Sequence, residues 1–299
     1  MFRLIHISDL HLGPLPPARV RELASKRIIG YVNWRRNRGR RLGKGVEAAL
    51  VAAIAAERPD HIAVTGDLVN IALAAEYVAA RTFLGLLGPE DRVSAVPGNH
   101  DAYVPGAARR AREAWAVYMT ADAGEADGWP YVRRRGEVAI VGASSAVASG
   151  PFMATGSFSE EQAGRLSSAL DALGRAGLCR VVLIHHPPVK GSTAWHKRLS
   201  GASRFREVIA RHGAELILHG HTHQPTRLAI AGPRGEVPVF GVPAATQRPG
   251  GSHPAAGFNL FDIERANNNF RIGHRLMQVT ADAGAFVETR GEEMVIPAP

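Results

Sequence analysis

The stretch FRLIHISDLHLG, residues 2–13, decides the reading of this chain: an apolar, β-branched run ends in the polar step Asp9-Leu10-His11 and is closed by glycine. Such runs bounded by Gly or Pro read as buried strands, and the residues after them leave the strand on a loop. The pattern returns four times. HIAVT leads to Asp67 in VTGDLVN, VSAVP to Asn99 and His100 in VPGNHDA, RVVLI to His185 and His186 in LIHHPPV, and ELILH to His221 and His223 in HGHTHQP. Loops at strand ends are where α/β folds place their chemistry. Carboxylate, amide and neutral imidazole donors suit divalent metals of intermediate hardness, and no Cys in the set argues against a thiolate-rich structural zinc site.

Taken singly, each step has a plain alternative. Asp67 after Gly66 could cap a helix, and Asn99 after Gly98 could be turn chemistry. Five such steps in order are not explained that way. Between them lie helical stretches at 46–57, 74–87, 108–119, 159–173 and 203–213, with Ser159 ahead of Glu160, Glu161 and Gln162 as a helix start. Alternating strand and helix is the signature of a layered α/β fold. From residue 237 the runs VPVFGVPA, GFNLFDI and NFRIGHRLM predict strands joined by turns.

The order and spacing of all five motifs, over residues 5 to 225, resemble the calcineurin-like metallophosphoesterases. The resemblance implies a four-layer α/β/β/α sandwich of two mixed sheets flanked by helices. Carried over by motif, it implies that Asp9, His11, Asp67 and His223 hold one metal and that Asp67, Asn99, His185 and His221 hold a second, with Asp67 bridging. Mn, Fe and Zn all fit the donor set. His100 would be the imidazole that faces substrate without ligating. The chemistry accounts for the residue types: a phosphoester repels hydroxide, so two cations neutralise it and acidify a bridging water, while His100 stabilises developing charge or protonates the leaving oxygen. The expected catalytic residues are therefore His100, Asp67 and Asn99.

Other polar residues near the motifs read as supporting or substrate-facing groups. His186 precedes Pro-Pro and reads as a partner of the ligands, as does His219; His6 reads as a satisfied core histidine, and Asp101 as a residue that could orient His100. Trp195, His196, Lys197 and Arg198, in the loop after the double histidine, are candidate substrate contacts.

Charge is concentrated. The chain has 36 Lys and Arg against 27 Asp and Glu, and residues 19–44 hold ten basic side chains with Glu22 as their one acid, so the whole excess of +9 lies in this insertion at 14–45. Val20, Leu23, Ile28, Tyr31 and Trp34 recur there at roughly helical spacing, which predicts that part of the segment is a basic amphipathic helix, either a solvated surface helix with its apolar side packed on the domain or a cap or membrane-facing element. Nucleic acid is the least favoured partner, because the rest of the chain is neutral. No apolar run is long enough to span a membrane, and the first strand begins at once, which predicts a cytoplasmic or membrane-peripheral protein without a cleavable signal. Cys179, the single cysteine, reads as a buried thiol. Residues 1–280 read as one domain and 281–299 as a loosely held tail.

The expected function is hydrolysis of a phosphodiester or phosphoanhydride. His100 resembles the cyclic-nucleotide phosphodiesterase branch, whereas the UDP-2,3-diacylglucosamine pyrophosphatases often carry Arg there. The basic insertion nevertheless suits a lipid-linked pyrophosphate. A nuclease and a metal-free interaction scaffold are weaker readings, the second because every ligand position is filled.

Overall fold

The computed structural model describes residues 1–37, 39, 45–251, 253–282 and 284–299. In chain order the elements are β1 (Phe2–Ile7), α1 (Val20–Leu23), α2 (Arg27–Arg36), α3 (Val46–Ala56), β2 (His61–Val64), α4 (Ala74–Leu87), β3 (Val93–Ala95) and α5 (Ala107–Ala114). Then follow β4 (Tyr131–Arg135), β5 (Val138–Gly142), β6 (Gly156–Ser157), α6 (Glu160–Arg175), β7 (Cys179–Leu183), β8 (Leu199–Ser200), α7 (Ala202–His212) and β9 (Leu216–His219). The chain closes with β10 (Arg227–Gly232), β11 (Gly235–Gly241), β12 (Gly257–Ala266), β13 (Asn269–Val279) and β14 (Phe286–Pro297).

Two mixed six-stranded sheets result, in the orders β14-β13-β12-β1-β2-β3 and β10-β11-β9-β7-β5-β4. β1, β2 and β3 run parallel, as do β5, β7, β9 and β11, and β12–β14 form an antiparallel meander on β1. One apolar cluster joins residues of both sheets, such as Leu4, Leu183 and Phe261, with Leu50, Leu84 and Trp115 of the first helices and their following segment. The second packs Leu166 and Leu170 of α6 and Phe205 and Ile209 of α7 on the far side of β7 and β9. The architecture is thus an α/β sandwich of two mixed sheets flanked by helices. β1, β2, β3, β7 and β9 all end at one edge, which gathers the five motif loops.

The expected helices form with small shifts. Ser159 caps α6 by accepting from the Gln162 N–H at 3.1 Å. The expected helix at 108–119 stops at Ala114 and continues as a short 3-10 turn over Ala116–Tyr118. The tail is a correction: residues 286–297 are not loosely held but pair along the whole of β13, with Met294 buried. Its charged sequence hid a half-exposed edge strand. β4 was also unread, because YVRRR looks too charged for a sheet. Arg133 is nevertheless buried, donating to the carbonyls of Glu90, Val93, Val117 and Thr120 at 2.6–2.8 Å.

The insertion is helical in part, as expected, and its apolar residues divide between the core and solvent. It breaks between α1 and α2; Leu23 and Tyr31 pack on the core while Val20, Ile28 and Val32 are exposed. Arg27 donates to the carbonyls of Ile71 and Ala72, and Lys26 Nζ to Ser149 and Met153. Two of its charges are therefore used to dock it. Arg38, Arg40, Arg41 and Lys44 of the basic run lie outside the described residues. Cys179 is buried and free, as expected. Among the described residues no helix is long and apolar enough to cross a membrane.

Replacing Arg133 with Met should strand four buried carbonyls and lower unfolding stability by about 3 kcal/mol, read from the midpoint and slope of urea denaturation.

Candidate metal centre

Backbone strain marks the site before any side chain is considered. Asp9, His11, Asp67, His221 and His223 all have φ between 43° and 67°, a left-handed conformation that costs a residue with a Cβ about 1 kcal/mol or more. Glycines make room beside them. A Cβ on Gly98 would strike the Asp67 carboxylate, and one on Gly220 would strike Ser8 and Asp9. This is the physical content of the GNH and HGH spellings.

The side chains converge from both sheets. Asp9 Oδ1 lies 3.1 Å from Nε2 of His223 and 3.9 Å from Nε2 of His11. Asp67 Oδ2 lies 3.9 Å from Nε2 of His11 on one side and 3.5 Å from Nε2 of His185 on the other, and Asn99 Oδ1 is 3.2 Å from the same His185 atom. Asp67 thus stands between two groups of donors. The His221 ring centroid is 5.1 Å from that of His185.

The imidazoles are oriented from behind. Nδ1 of His11 donates to the Val69 carbonyl at 3.2 Å, Nδ1 of His185 to that of Thr65 at 2.6 Å, and Nε2 of His221 to that of Lys197 at 3.0 Å. Each carbonyl can only accept, so each ring turns its lone pair to the centre. His100 follows the same rule, with Nδ1 on the Asn70 carbonyl, its ring stacked on Tyr103 at 5.3 Å and edge-on to His11 at 4.7 Å.

Electrostatics agree. Burial alone would raise the pKa of Asp67, yet the His185 and His100 imidazoles hold it well below the ordinary carboxylate range. Burial likewise opposes charging His185, but the Asp67 carboxylate lifts it to about 9. Without cations, protons must balance this charge. Asp9 Oδ1 is buried and receives no well-formed hydrogen bond, which a cation would satisfy. Donor atoms of Asp9, His11 and His223, and of Asp9, Asp67 and His185, lie within 4.8 Å of one another. The residues fit a dinuclear metal site.

The supporting residues sort clearly. His186 also lies within reach of His185 and His221, but both its nitrogens are engaged, Nδ1 by Ser145 Oγ at 2.8 Å and Nε2 by the Ala154 carbonyl at 3.2 Å. Burial, with His185 nearby, pushes its pKa down to about 3, so it stays neutral. His219 bonds the Gly220 carbonyl and Thr226 at the back of the site. Asp101 does not reach toward His100; its oxygens accept from the backbone N–H groups of Asp67, Leu68, Val69 and Gly98 at 2.8–3.1 Å. Burial and then Asp67 push its pKa up to about 7, against those four donors. Trp195, His196, Lys197 and Arg198 are exposed, with the Arg198 guanidinium 4.3 Å over the Trp195 ring, while the Lys197 carbonyl is what orients His221.

Several contributors escaped the sequence reading. Glu76 is buried and accepts from the N–H groups of Asn70, Ile71 and Leu73, fixing the loop that follows Asp67. Its place as the third residue of α4 was the available signal. Thr65, Asn70 and Ser145 act through contacts that no local pattern announces.

Residues 2–225 match the model of the calcineurin-like phosphoesterases. The chain belongs to that family. It is accordingly a metal-dependent phosphoesterase. Among curated proteins none matches the sequence. Among solved structures, a dimetal phosphatase from Danio rerio is 14% identical, with a TM-score of 0.63 over 100% of this chain and 99% of its own. A purple acid phosphatase from yellow lupin seeds is 13% identical, with a TM-score of 0.62 over 99% of this chain and 53% of its own. This chain therefore spans about half of the lupin protein. At such identities the likeness is one of fold.

Metal-free protein titrated with Mn should take up two ions per chain, and His186→Gln should still take up two while His185→Ala loses at least one. Elemental analysis after gel filtration reads the difference; loss in His186→Gln would make that ring a ligand.

Proposed function

We propose that the chain hydrolyses a phosphodiester or phosphoanhydride, with one divalent cation held by Asp9, His11, Asp67 and His223 and a second by Asp67, Asn99, His185 and His221. The observation that carries this reading is the common orientation of the imidazoles, each giving its N–H to a main-chain carbonyl and its lone pair to the centre. Two cations, once bound, would neutralise the phosphate and acidify water; Mn, Fe and Zn all suit the donors.

The chain's own part is positioning and proton transfer. His100 keeps its proton on Nδ1 against the Asn70 carbonyl, leaving Nε2 on the side of the Asp67 and His11 donors. From there an imidazolium can stabilise charge on the phosphate or give a proton to the leaving oxygen. Tyr103 fixes the ring plane, and Lys26 Nζ of the insertion lies 4.7 Å over the far ring of this stack. The insertion is thus mechanically joined to the proton donor. A nucleotide or cyclic nucleotide is the substrate class that best suits a diester cut beside such a histidine.

One observation favours a second reading, a lipid-linked pyrophosphate taken from an anionic membrane surface. Val20, Phe152 and Trp195 are 87%, 80% and 67% exposed. They sit on segments tied together near the site, since Lys26 bonds the Met153 carbonyl and the Ala154 N–H bonds the His196 carbonyl. Exposed apolar and aromatic side chains among arginines and lysines suit an anionic lipid interface.

Chelated protein restored with Mn should hydrolyse bis(p-nitrophenyl) phosphate at least about ten-fold faster than p-nitrophenyl phosphate, with Asp67→Ala inactive on both. Silence on both esters with two ions bound would favour the lipid-linked substrate. His100→Ala should lower kcat about 100-fold with both ions retained; a lost ion would instead make His100 a ligand.

A further inference from the structure

A polar line runs through the space between the two sheets. It starts at Thr65, just past β2, and steps across four neighbouring strands through His6 of β1, Asn259 of β12, His274 of β13 and Glu292 of β14. The register makes this possible: His6 faces Asn259 and His274 faces Glu292 as cross-strand pairs, and His274 lies diagonal to Asn259 because its own partner is Phe261. His6, Thr65, Asn259 and His274 are all buried. The distances are 2.8 Å from His6 Nε2 to Thr65 Oγ1, 3.2 Å from Asn259 Nδ2 to His6 Nδ1, and 3.0 Å from His274 Nε2 to Asn259 Oδ1. His274 Nδ1 lies 3.5 Å from Glu292, whose other oxygen meets Arg227 at 2.5 Å.

One carbonyl sets the direction of the whole line. Asn259 Nδ2 is also 3.1 Å from the Gly241 oxygen, which can only accept, so the amide nitrogen is assigned without ambiguity. His6 Nδ1 must then accept, its proton sits on Nε2, and it donates to Thr65. Asn259 Oδ1 faces His274, which must donate from Nε2. From His274 through Asn259 and His6 the donors along the line therefore point toward Thr65, and the Thr65 carbonyl is the group that receives Nδ1–H of His185 at 2.6 Å. Phe240 and Phe261 enclose the His274 ring at 4.5 Å and 4.9 Å, so an apolar residue would fit where a polar one stands. Burying four polar groups in line is costly unless they do something together.

We infer that His6, Asn259 and His274 are positioning residues, which through Thr65 fix the ring of His185 and so tune the affinity of the metal that His185 holds. This rests on the two-metal reading. Residues that brace a ligand from behind typically carry 10–100-fold in metal affinity.

The test is calorimetric titration of Mn into metal-free wild type, Thr65→Val, Thr65→Ser and His274→Phe, beside the thermal midpoint of each metal-free protein. Thr65→Val and His274→Phe should weaken one of the two binding steps about ten-fold and leave the other unchanged, while Thr65→Ser keeps both. His274→Phe should keep its midpoint, being packed between phenylalanines. Should it fail to fold, the part-exposed Glu292→Gln replaces it with the same expectation in smaller measure. Both steps unchanged in the variants, with or without a lower midpoint, would make the line purely structural and overturn the inference. No Mn uptake by wild type would overturn the two-metal reading itself.

Discussion

Everything at this site depends on keeping the ionised Asp67 carboxylate out of water. A buried carboxylate is tolerable only when hydrogen bonds and opposite charge replace its hydration. The His100 N–H meets Oδ1 at 2.7 Å, His11 and His185 flank Oδ2, and Asp101 grips the backbone of the same residue from behind. Glu76 secures the next turn of the loop in the same way. Two buried acids thus spend their charge on main-chain N–H groups so that a third can face a cation. The left-handed φ of Asp67 and the bare Gly98 beside it follow from that requirement.

The division of labour between the sheets explains why the motifs are so widely spaced. Asp9, Asp67 and Asn99 leave β1, β2 and β3, whereas His185, His221 and His223 leave β7 and β9 in the other sheet. Carboxylates come mainly from one layer and imidazoles from the other. The bridge between Ser8 and Ala244 joins the layers beside the first ligand. The connecting helices stay on the outside, where their length does not disturb the edge that gathers the loops.

How much of this was legible in the sequence follows from how local each signal is. The five ligand loops were readable because a β-branched run, a glycine and a polar residue sit within a few positions of one another. Helices with a plain apolar face, such as α4 and α6, were readable for the same reason. β4 and β14 were not, because Arg133 is made compatible with burial by four carbonyls distant in sequence, and the edge strand keeps its charges in solvent. The insertion was legible as partly helical, but spacing alone could not show that Lys26 and Arg27 turn inward to dock it. Asp101 was seen as a candidate but given the wrong partner, and Thr65 and Ser145 were missed; their roles are set by contacts 30 to 120 residues away.

The convergence of ligands from two sheets has a consequence for the life of the molecule. Cations bound there would tie together two sheets that already meet through side-chain packing and the Ser8–Ala244 bridge, and they would bind the folded chain but not the unfolded one. By mass action, free metal at about one hundred times its dissociation constant adds about 2.7 kcal/mol to the folding equilibrium per ion. Metal supply would then set not only turnover but the folded fraction, and with it the resistance of the chain to proteases.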